Sequence, residues 1–298
     1  MEKVIIILGP TAVGKSDVAV ELAKLVNGEI ISADSSQVYR GFDIGSGKVT
    51  KEEMQGIAHH LIDIMNFDEE FNVAVFKSLA EQKIEEIQNK NKQAIICGGT
   101  GLYVKALTEG FSFFKVSKNE TYRKELEQLA EEKGLQHLHN MLSELDSERA
   151  SKIHANDKFR IIRALEILQG EGKEILIAPK YQYITIILNQ DRQKLYERIN
   201  LRVDKMVEKG LFEEVEKLMQ MGANLTHPSF KAIGYKEIYD YFVTKELTKE
   251  ETIELIKKRS RNYAKRQLTW LRALKNSHWF ENENPIKTAN EIYSLICK

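Results

Sequence analysis

"VIIILGPTAVGKS", Val4 to Ser16, decides the fold. Its first five residues are a continuous apolar run, the pattern of a strand buried on both faces of a parallel sheet. The next eight fit G-x-x-x-x-G-K-[ST] in full, a phosphate-binding loop when it follows a strand and opens a helix. Lys15 to Val26 supplies that helix, with Val18, Leu22 and Leu25 near helical spacing. The loop backbone over Gly9, Pro10, Thr11, Ala12, Val13, Gly14, Lys15 and Ser16 is therefore expected to wrap phosphate oxygens at a helix N-terminus. Lys15 adds a cation, and the Ser16 hydroxyl can ligate Mg²⁺.

Outward from this stretch, "EIISAD" at Glu29–Asp34, "QAIICGGT" at Gln93–Thr100 and "YITIIL" at Tyr183–Leu188 read as three more strands. Val73–Asn89 reads as a helix, with Val75, Leu79, Lys83 and Ile87 four apart. This alternation predicts an α/β fold: a P-loop NTPase-like, doubly wound, mainly parallel sheet. From about Phe113 to Tyr181 no strand is expected. Leu126, Leu129, Leu135, Leu138, Leu142 and Leu145 mark helices, as does Arg160–Gln169, and a loop follows around Gly170, Gly172 and Pro179. The expected division is a core of residues 1–112 plus 183–298 and a helical insertion domain of 113–182. After the fourth strand the chain reads as helical to its end, with Asp191–Lys209 closed by Gly210 at C′.

Ligands of open α/β sheets gather at the carboxyl ends of the strands. Those ends carry the phosphate loop, then Asp34 with "SSQVY", then Gly98-Gly99-Thr100-Gly101, then Asn189 to Arg192. If the strands are parallel, all four groups share one edge. Asp34 is a candidate general base or metal ligand, or else a turn aspartate. The glycine pair is either a tight turn or a place where backbone approaches a ligand closely. Arg198 and Arg202, four apart on one helix, either pair with Glu197 or Asp204 or reach an anionic ligand.

Composition narrows the class. Of 298 residues, 44 are Lys or Arg and 44 Asp or Glu, so net charge points to no polyanionic partner. Cys97 and Cys297 form neither a disulfide framework nor a metal pattern. The N-terminal apolar run is too short for a signal peptide, and no stretch approaches the ~20 residues of a membrane span. A soluble cytoplasmic protein is expected. The charge is unevenly placed, however. "KKRSRNYAKRQLTWLRALK", Lys257 to Lys275, holds eight basic residues and no acidic one. On a helical wheel Lys258, Arg261, Lys265 and Arg272 share one side, opposite Ile256, Tyr263, Trp270 and Leu274. A single-sign stripe in a net-neutral protein is an electrostatic footprint for nucleic acid.

The combination of stretches resembles the tRNA dimethylallyltransferase (isopentenyl-tRNA transferase) family. The matching stretches are "GPTAVGKS", "ISADSSQVYRGFDIGSGK", "HHLID", "GGTGLYVKAL", "IHANDKFRIIRALEI", "YERINLRVDKMVEKGLFEEV", "AIGYKE" and "RNYAKRQLTWLR". They run through nearly the whole chain in the family's order. Two departures stand out: Gly170–Tyr183 is short for the link after the insertion, and no zinc-finger extension follows the basic helix. The second fits a bacterial-type member. The resemblance implies transfer of a dimethylallyl group from dimethylallyl diphosphate, with Mg²⁺, to N6 of the adenosine beside the anticodon (position 37) of tRNAs that read codons beginning with U. The phosphate loop would then hold a departing diphosphate. Asp34 matches the family's base, Thr11 a diphosphate-bonding threonine, and Arg198 and Arg202 its arginine pair; with Lys15 these are the implied catalytic residues. Asp34, Ser35, Ser36 and Gln37 would surround the flipped adenosine, with Thr100 beside it. Arg123 and the run Phe159, Arg160, Ile161, Ile162 and Arg163 would clasp the anticodon stem-loop, while Phe230 to Tyr235 and Lys265, Arg266 and Arg272 would face the stem. The enzyme is expected to act as a monomer, off the membrane.

Three other readings use the same loop. A small-molecule or nucleotide kinase explains the loop and Asp34 but not the basic helix. A non-catalytic RNA-binding module explains the helix but gives Asp34 no role. Prenyl transfer to free adenine nucleotides does not need the helix. No Asp-Asp dipeptide occurs, so the Asp-rich metal motif of prenyl synthases is absent.

Overall fold

The computed structural model describes residues 3–109, 111–114, 119–170 and 174–297. The chain divides into two compact units, Met1–Glu109 with Pro179–Lys298, and Gly110–Ala178. The first unit begins β1 (Val4–Leu8), α1 (Lys15–Val26), β2 (Gly28–Ala33), α2 (Lys51–Met54), β3 (His59–His60), α3 (Val73–Asn89), β4 (Gln93–Gly98) and α4 (Gly101–Thr108). The second holds β5 (Phe111–Phe114), α5 (Glu120–Lys133), α6 (Leu135–Leu145), α7 (Ser147–Ser151), α8 (Lys158–Gln169) and β6 (Glu174–Ile177). The first unit resumes with β7 (Tyr183–Asn189), α9 (Arg192–Glu208), α10 (Leu211–Gln220), a 3₁₀ turn (Pro228–Lys231), α11 (Tyr235–Thr244), α12 (Lys249–Leu271), β8 (Ser277–Glu281) and α13 (Pro285–Ile296).

The main sheet has the order β3-β2-β4-β1-β7-β8, and every pairing in it is parallel. β1 lies inside the sheet, and all five of its residues are buried. Because side chains alternate across a strand, its apolar run serves two layers. Ile5 and Ile7 join Val18 and Leu22 of α1 and Ile292 of α13 on one face. Val4, Ile6 and Leu8 join Phe76 and Ile84 of α3 and Leu107 of α4 on the other. The expected doubly wound sheet is thus present, with β1, β2, β4 and β7 in the places read from the sequence.

Two strand expectations are corrected. The stretch from Phe113 to Tyr181 is not free of strands: β5 and β6 form an antiparallel ribbon, pairing Phe111 with Ile177 and Phe114 with Glu174. Each strand has only four residues, and the partners are far apart in sequence, so no hairpin turn announces them. Nor is the chain all helix after β7. β8 pairs Thr185 with Ser277 and Asn189 with Glu281 along the sheet edge. Its polar "SHWFE" follows a long helix directly and carries no core-strand pattern. Of the loop expected after the insertion helices, Gly172 lies outside the described residues. Gly210 takes the left-handed conformation (φ 95°) after α9, as read.

Within the second unit, Leu126, Leu138, Leu142, Ile161, Ile162 and Leu165 form the core. Buried Glu166 of α8 accepts from the Asn119 backbone N–H, from Arg123 of α5 at 2.8 Å, and from Arg163. Burial opposes its charge, but these donors outweigh burial and hold the carboxyl down at about 2.

Candidate active site

Parallel strands bring all the strand-end groups to one edge. Between β1 and α1, the phosphate loop is braced from three later segments. Buried Asn282, just past β8, donates to the Val13 carbonyl at 2.8 Å and accepts from Thr288. Arg198 of α9 donates through Nε to the Ala12 carbonyl at 2.9 Å. Buried Gln267 of α12 accepts from the Thr11 N–H at 2.8 Å and donates to the Gly99 carbonyl at 3.1 Å. Lys15 Nζ folds back on the carbonyls of Gly9 (3.0 Å) and Pro10 (2.9 Å). Not every loop group expected to bind phosphate has a free backbone donor. The Thr11 N–H is engaged by Gln267, the Val13 N–H points to the Pro10 carbonyl, and Pro10 has none. The first N–H groups of α1 lack intrahelical partners, the kind of donor that suits an anion at a helix N-terminus.

Burial pulls the Lys15 ammonium down to about 8. Cys97 and Asp34 counter that shift and Arg202 adds to it. Burial likewise lowers Arg202, against the pull of Asp34, Glu53 and Asp17. Asp34 follows β2, and its turn reading holds. Its Oδ1 accepts from the Ser36 N–H (2.8 Å) and the Gln37 N–H (3.4 Å), as a turn aspartate would. Its other oxygen has no hydrogen bond among the described residues. Gln37 accepts from the Ser32 hydroxyl and donates to the Gly47 carbonyl at 3.3 Å. Gly47 is left-handed (φ 59°), and a Cβ there would overlap the Arg202 guanidinium, so only glycine fits.

Two cavities open here. The larger, about 670 Å³, runs along the phosphate loop, Ser16, Arg198 and Gly99. The smaller, about 330 Å³, has Ser35, Ser36 and Arg266 at its polar side and Ile199, Val203, Ile233 and Ile256 as an apolar wall. Thr11, Asp34, Ser46, Arg202, Met206 and Tyr263 line both. The junction therefore puts a carboxylate, a guanidinium and a phenol within one space. Burial pushes the Tyr263 phenol up to about 12, with Asp34 pushing the same way, so it stays a neutral O–H.

Several expected residues lie elsewhere. Among the described residues neither Arg198 nor Arg202 pairs with Glu197 or Asp204: Arg198 braces Ala12, and Asp204 holds Lys257 at 2.7 Å. The Gly98–Gly101 turn approaches protein closely, and Gly98 and Gly99 also line the larger cavity. Side chains there would collide with the Ala33 carbonyl, Gln267 and the Trp270 ring. Gly98→Ala is expected to cost about 1–3 kcal/mol of stability through overpacking, read as a lower urea midpoint at unchanged slope. Thr100 is the N-cap residue of α4, one position beyond Gly99. Phe230 and Tyr235 are fully buried, so neither side chain faces a partner; Lys231, Ala232, Ile233 and Gly234 between them line the smaller cavity. Ile161 and Ile162 pack inside the second unit, whereas Phe159 is 81% exposed and Arg160 reaches only Asp157 beside it.

On α12, Ile256, Ala264, Gln267 and Leu271 are buried, and Lys258, Lys265, Arg266 and Arg272 point away from that core. Arg261 is corrected out of the outward stripe: it bonds Asn200 of α9. Lys257 and Arg259 are also held, by Asp204 with Glu254 and by Glu237. What sequence reading missed at the site came from distant positions: Gln267, Asn282, Met206 and Tyr263. Of these, Tyr263 carried a signal as the aromatic opposite the basic stripe, and Gln267 lay inside the basic stretch without a sign of its own contact.

This geometry defines a P-loop α/β protein whose anion cradle opens beside a carboxylate and is tied to a basic helix. The IPP transferase family profile matches residues 37–274, and the chain belongs to that family. It is 47% identical over 301 aligned positions to the tRNA dimethylallyltransferase of Clostridioides difficile, covering 98% of this chain and 96% of that one. The tRNA dimethylallyltransferase of Bacillus cytotoxicus is 48% identical, with 97% and 93% covered. The crystal structure of the tRNA isopentenylpyrophosphate transferase of Bacillus halodurans superposes with a TM-score of 0.76 at 46% identity, covering 100% of this chain and 96% of that one. A eukaryotic dimethylallyltransferase seen acting on tRNA gives 0.75 at 29% identity, covering 94% and 74%.

Proposed function

We propose that the chain transfers the dimethylallyl group of dimethylallyl diphosphate to N6 of the adenosine beside the anticodon in tRNA, releasing diphosphate. The observation that carries the reading is the junction of the two cavities at Thr11, Asp34 and Arg202. The larger cavity takes the diphosphate on the phosphate loop, Lys15 and the α9 arginines. The smaller takes the adenine, flipped from its stack at a cost of a few kcal/mol. N6 attacks the allylic carbon, the carbon–oxygen bond to diphosphate breaks, and Asp34 accepts the N6 proton. Positive groups around the departing diphosphate stabilise the charge growing on it.

The Ser16 hydroxyl, with Asp17 beside it and Glu53 lining the same cavity, is an oxygen donor set suited to Mg²⁺. Mg²⁺ commonly takes one or two protein ligands and completes its shell with phosphate oxygens and water. When bound it would neutralise diphosphate charge. Among the described residues no helix is long and apolar enough to cross a membrane. The proposal takes the monomer as the working unit and the cytoplasm as its place.

Gln267 fixes the basic helix to the phosphate loop itself, an arrangement that a kinase or a transferase of free nucleotides does not require. With labelled donor, label is expected in tRNA and not in AMP or ATP; label in the free nucleotides instead would overturn the choice of acceptor. Replacing Lys265 and Arg272 together with Ala is expected to weaken tRNA binding at unchanged donor affinity. The slope of log K against log salt should fall by roughly 0.7–0.9 per lost phosphate contact. An unchanged slope in a salt titration removes the helix from the interface.

A further inference from the structure

We infer that Glu214 and Tyr235 form a positioning clamp that sets the loop over residues 43–47, and through it Arg202 and Gln37, for the transfer proposed above. Glu214, on α10, lines neither cavity. Its carboxylate is nevertheless tied to the cavity wall. Oε2 accepts from the backbone N–H groups of Asp43 (3.0 Å) and Ile44 (2.7 Å), and Oε1 accepts from that of Gly45 (3.1 Å). The Tyr235 hydroxyl donates to Glu214 Oε1 at 2.7 Å and accepts from the Ser46 N–H at 3.1 Å. Four successive backbone donors thus converge on one carboxylate–phenol pair. Successive N–H groups make a seat for an anion, and here a side chain of the protein fills it.

The seat is rigid on its far side. Tyr235 is fully buried, 4.7 Å centre to centre from the Phe42 ring and 6.1 Å from Phe230. A Cβ on Gly45 would come within 2.6 Å of the Tyr235 ring, so loop and ring are in direct contact. Burial and the neighbouring Glu214 push the phenol well above its ordinary value, so it remains a donor.

The loop hands this position on to the reaction space. Gly45 and Ser46 wall the smaller cavity, and Asp43, Ile44, Ser46 and Gly47 the larger. Gly47 receives the Gln37 amide on its carbonyl and leaves no room between its Cα and the Arg202 guanidinium. One loop therefore backs both the Arg202 guanidinium at the junction of the cavities and the Gln37 amide on the wall of the larger one. Glu214 touches neither, so any effect it has on them passes through the loop.

Inorganic diphosphate is the probe, titrated by calorimetry into the wild type, Glu214→Gln, Arg202→Ala and the double variant. The amide introduced by Glu214→Gln would turn its own N–H groups against the backbone donors. Glu214→Gln is expected to weaken diphosphate about tenfold alone and not at all in the Arg202→Ala background, since the two act in series. Equal weakening in both backgrounds, or none in either, overturns the clamp. Tyr235→Phe keeps the ring in the core and deletes only the hydroxyl. It should weaken diphosphate about threefold and covers the case in which Glu214→Gln does not fold. A lower unfolding midpoint with unchanged diphosphate affinity in both single variants would make the pair a structural staple only, and would also overturn the clamp. Diphosphate binding does not depend on transfer to tRNA. Intact coupling without transfer sinks the proposed function and spares the clamp; transfer without coupling does the reverse.

Discussion

Asp34→Asn is expected to bind donor and tRNA as the wild type does and to lose ~10²–10⁴-fold in the chemical step. Asp34 Oδ1 already accepts from the Ser36 and Gln37 backbone N–H groups, and an asparagine keeps that oxygen. The turn, and with it the placement of Gln37, should therefore survive. What is lost is the second carboxylate oxygen of a residue that lines both cavities, and with it the ability to take a proton. An adenine amine is a poor nucleophile because its lone pair is delocalised into the ring, so removal of its proton weighs heavily in the transition state. Single-turnover transfer with all components saturating reads the step directly. A wild-type rate would remove Asp34 as the base, and weakened tRNA affinity with normal chemistry would leave it a contact residue.

Arg202→Ala is the second large effect. Arg202 lines both cavities, whereas Arg198 lines the larger one only and spends its Nε on the Ala12 carbonyl. In the proposed reaction a guanidinium at the junction would meet the oxygen from which the allylic carbon departs. Removing one such preorganised donor typically costs ~10²–10³ in rate. Arg202→Ala is expected to lose that much in kcat/KM for the donor, and Arg198→Ala less than about a tenth as much. Steady-state kinetics of the two variants side by side test this. Equal losses would mean that the two arginines share the leaving group.

The sequence made legible what is local. The run Val4–Leu8 meets both faces of the sheet, and the loop after it is a contiguous motif, so strand, helix start and cradle could all be read from one short stretch. The parallel edge, with Asp34 beside the loop, followed from strand order alone. What stayed hidden is assembled from far apart. Asn282 reaches Val13 and Gln267 reaches Thr11 across most of the chain; nothing local marks Asn282, and the basic stretch around Gln267 does not say that it turns to the loop. The Gly98–Gly101 run was legible as a close approach, but the sequence does not say to what, and the answer is α12 and the Ala33 carbonyl. Arg261 sits on the basic side of an ideal wheel, yet Asn200 draws it inward, a tertiary contact that periodicity cannot carry. Ile161 and Ile162 fall inside a basic stretch whose ends are polar, and their burial follows from helical phase only once α5 and α6 are in place.

On the proposed reading the phosphate loop holds a leaving diphosphate and not a phosphoryl donor. The most direct test incubates the wild type with Mg²⁺, dimethylallyl diphosphate labelled in the five-carbon chain, and unmodified tRNA, with and without ATP, following both label and phosphate species. One diphosphate is expected for each labelled chain found on N6 of the adenosine beside the anticodon, with no requirement for ATP. Absence of label from tRNA, or ATP consumed with phosphoryl transfer to an acceptor, would contradict that reading.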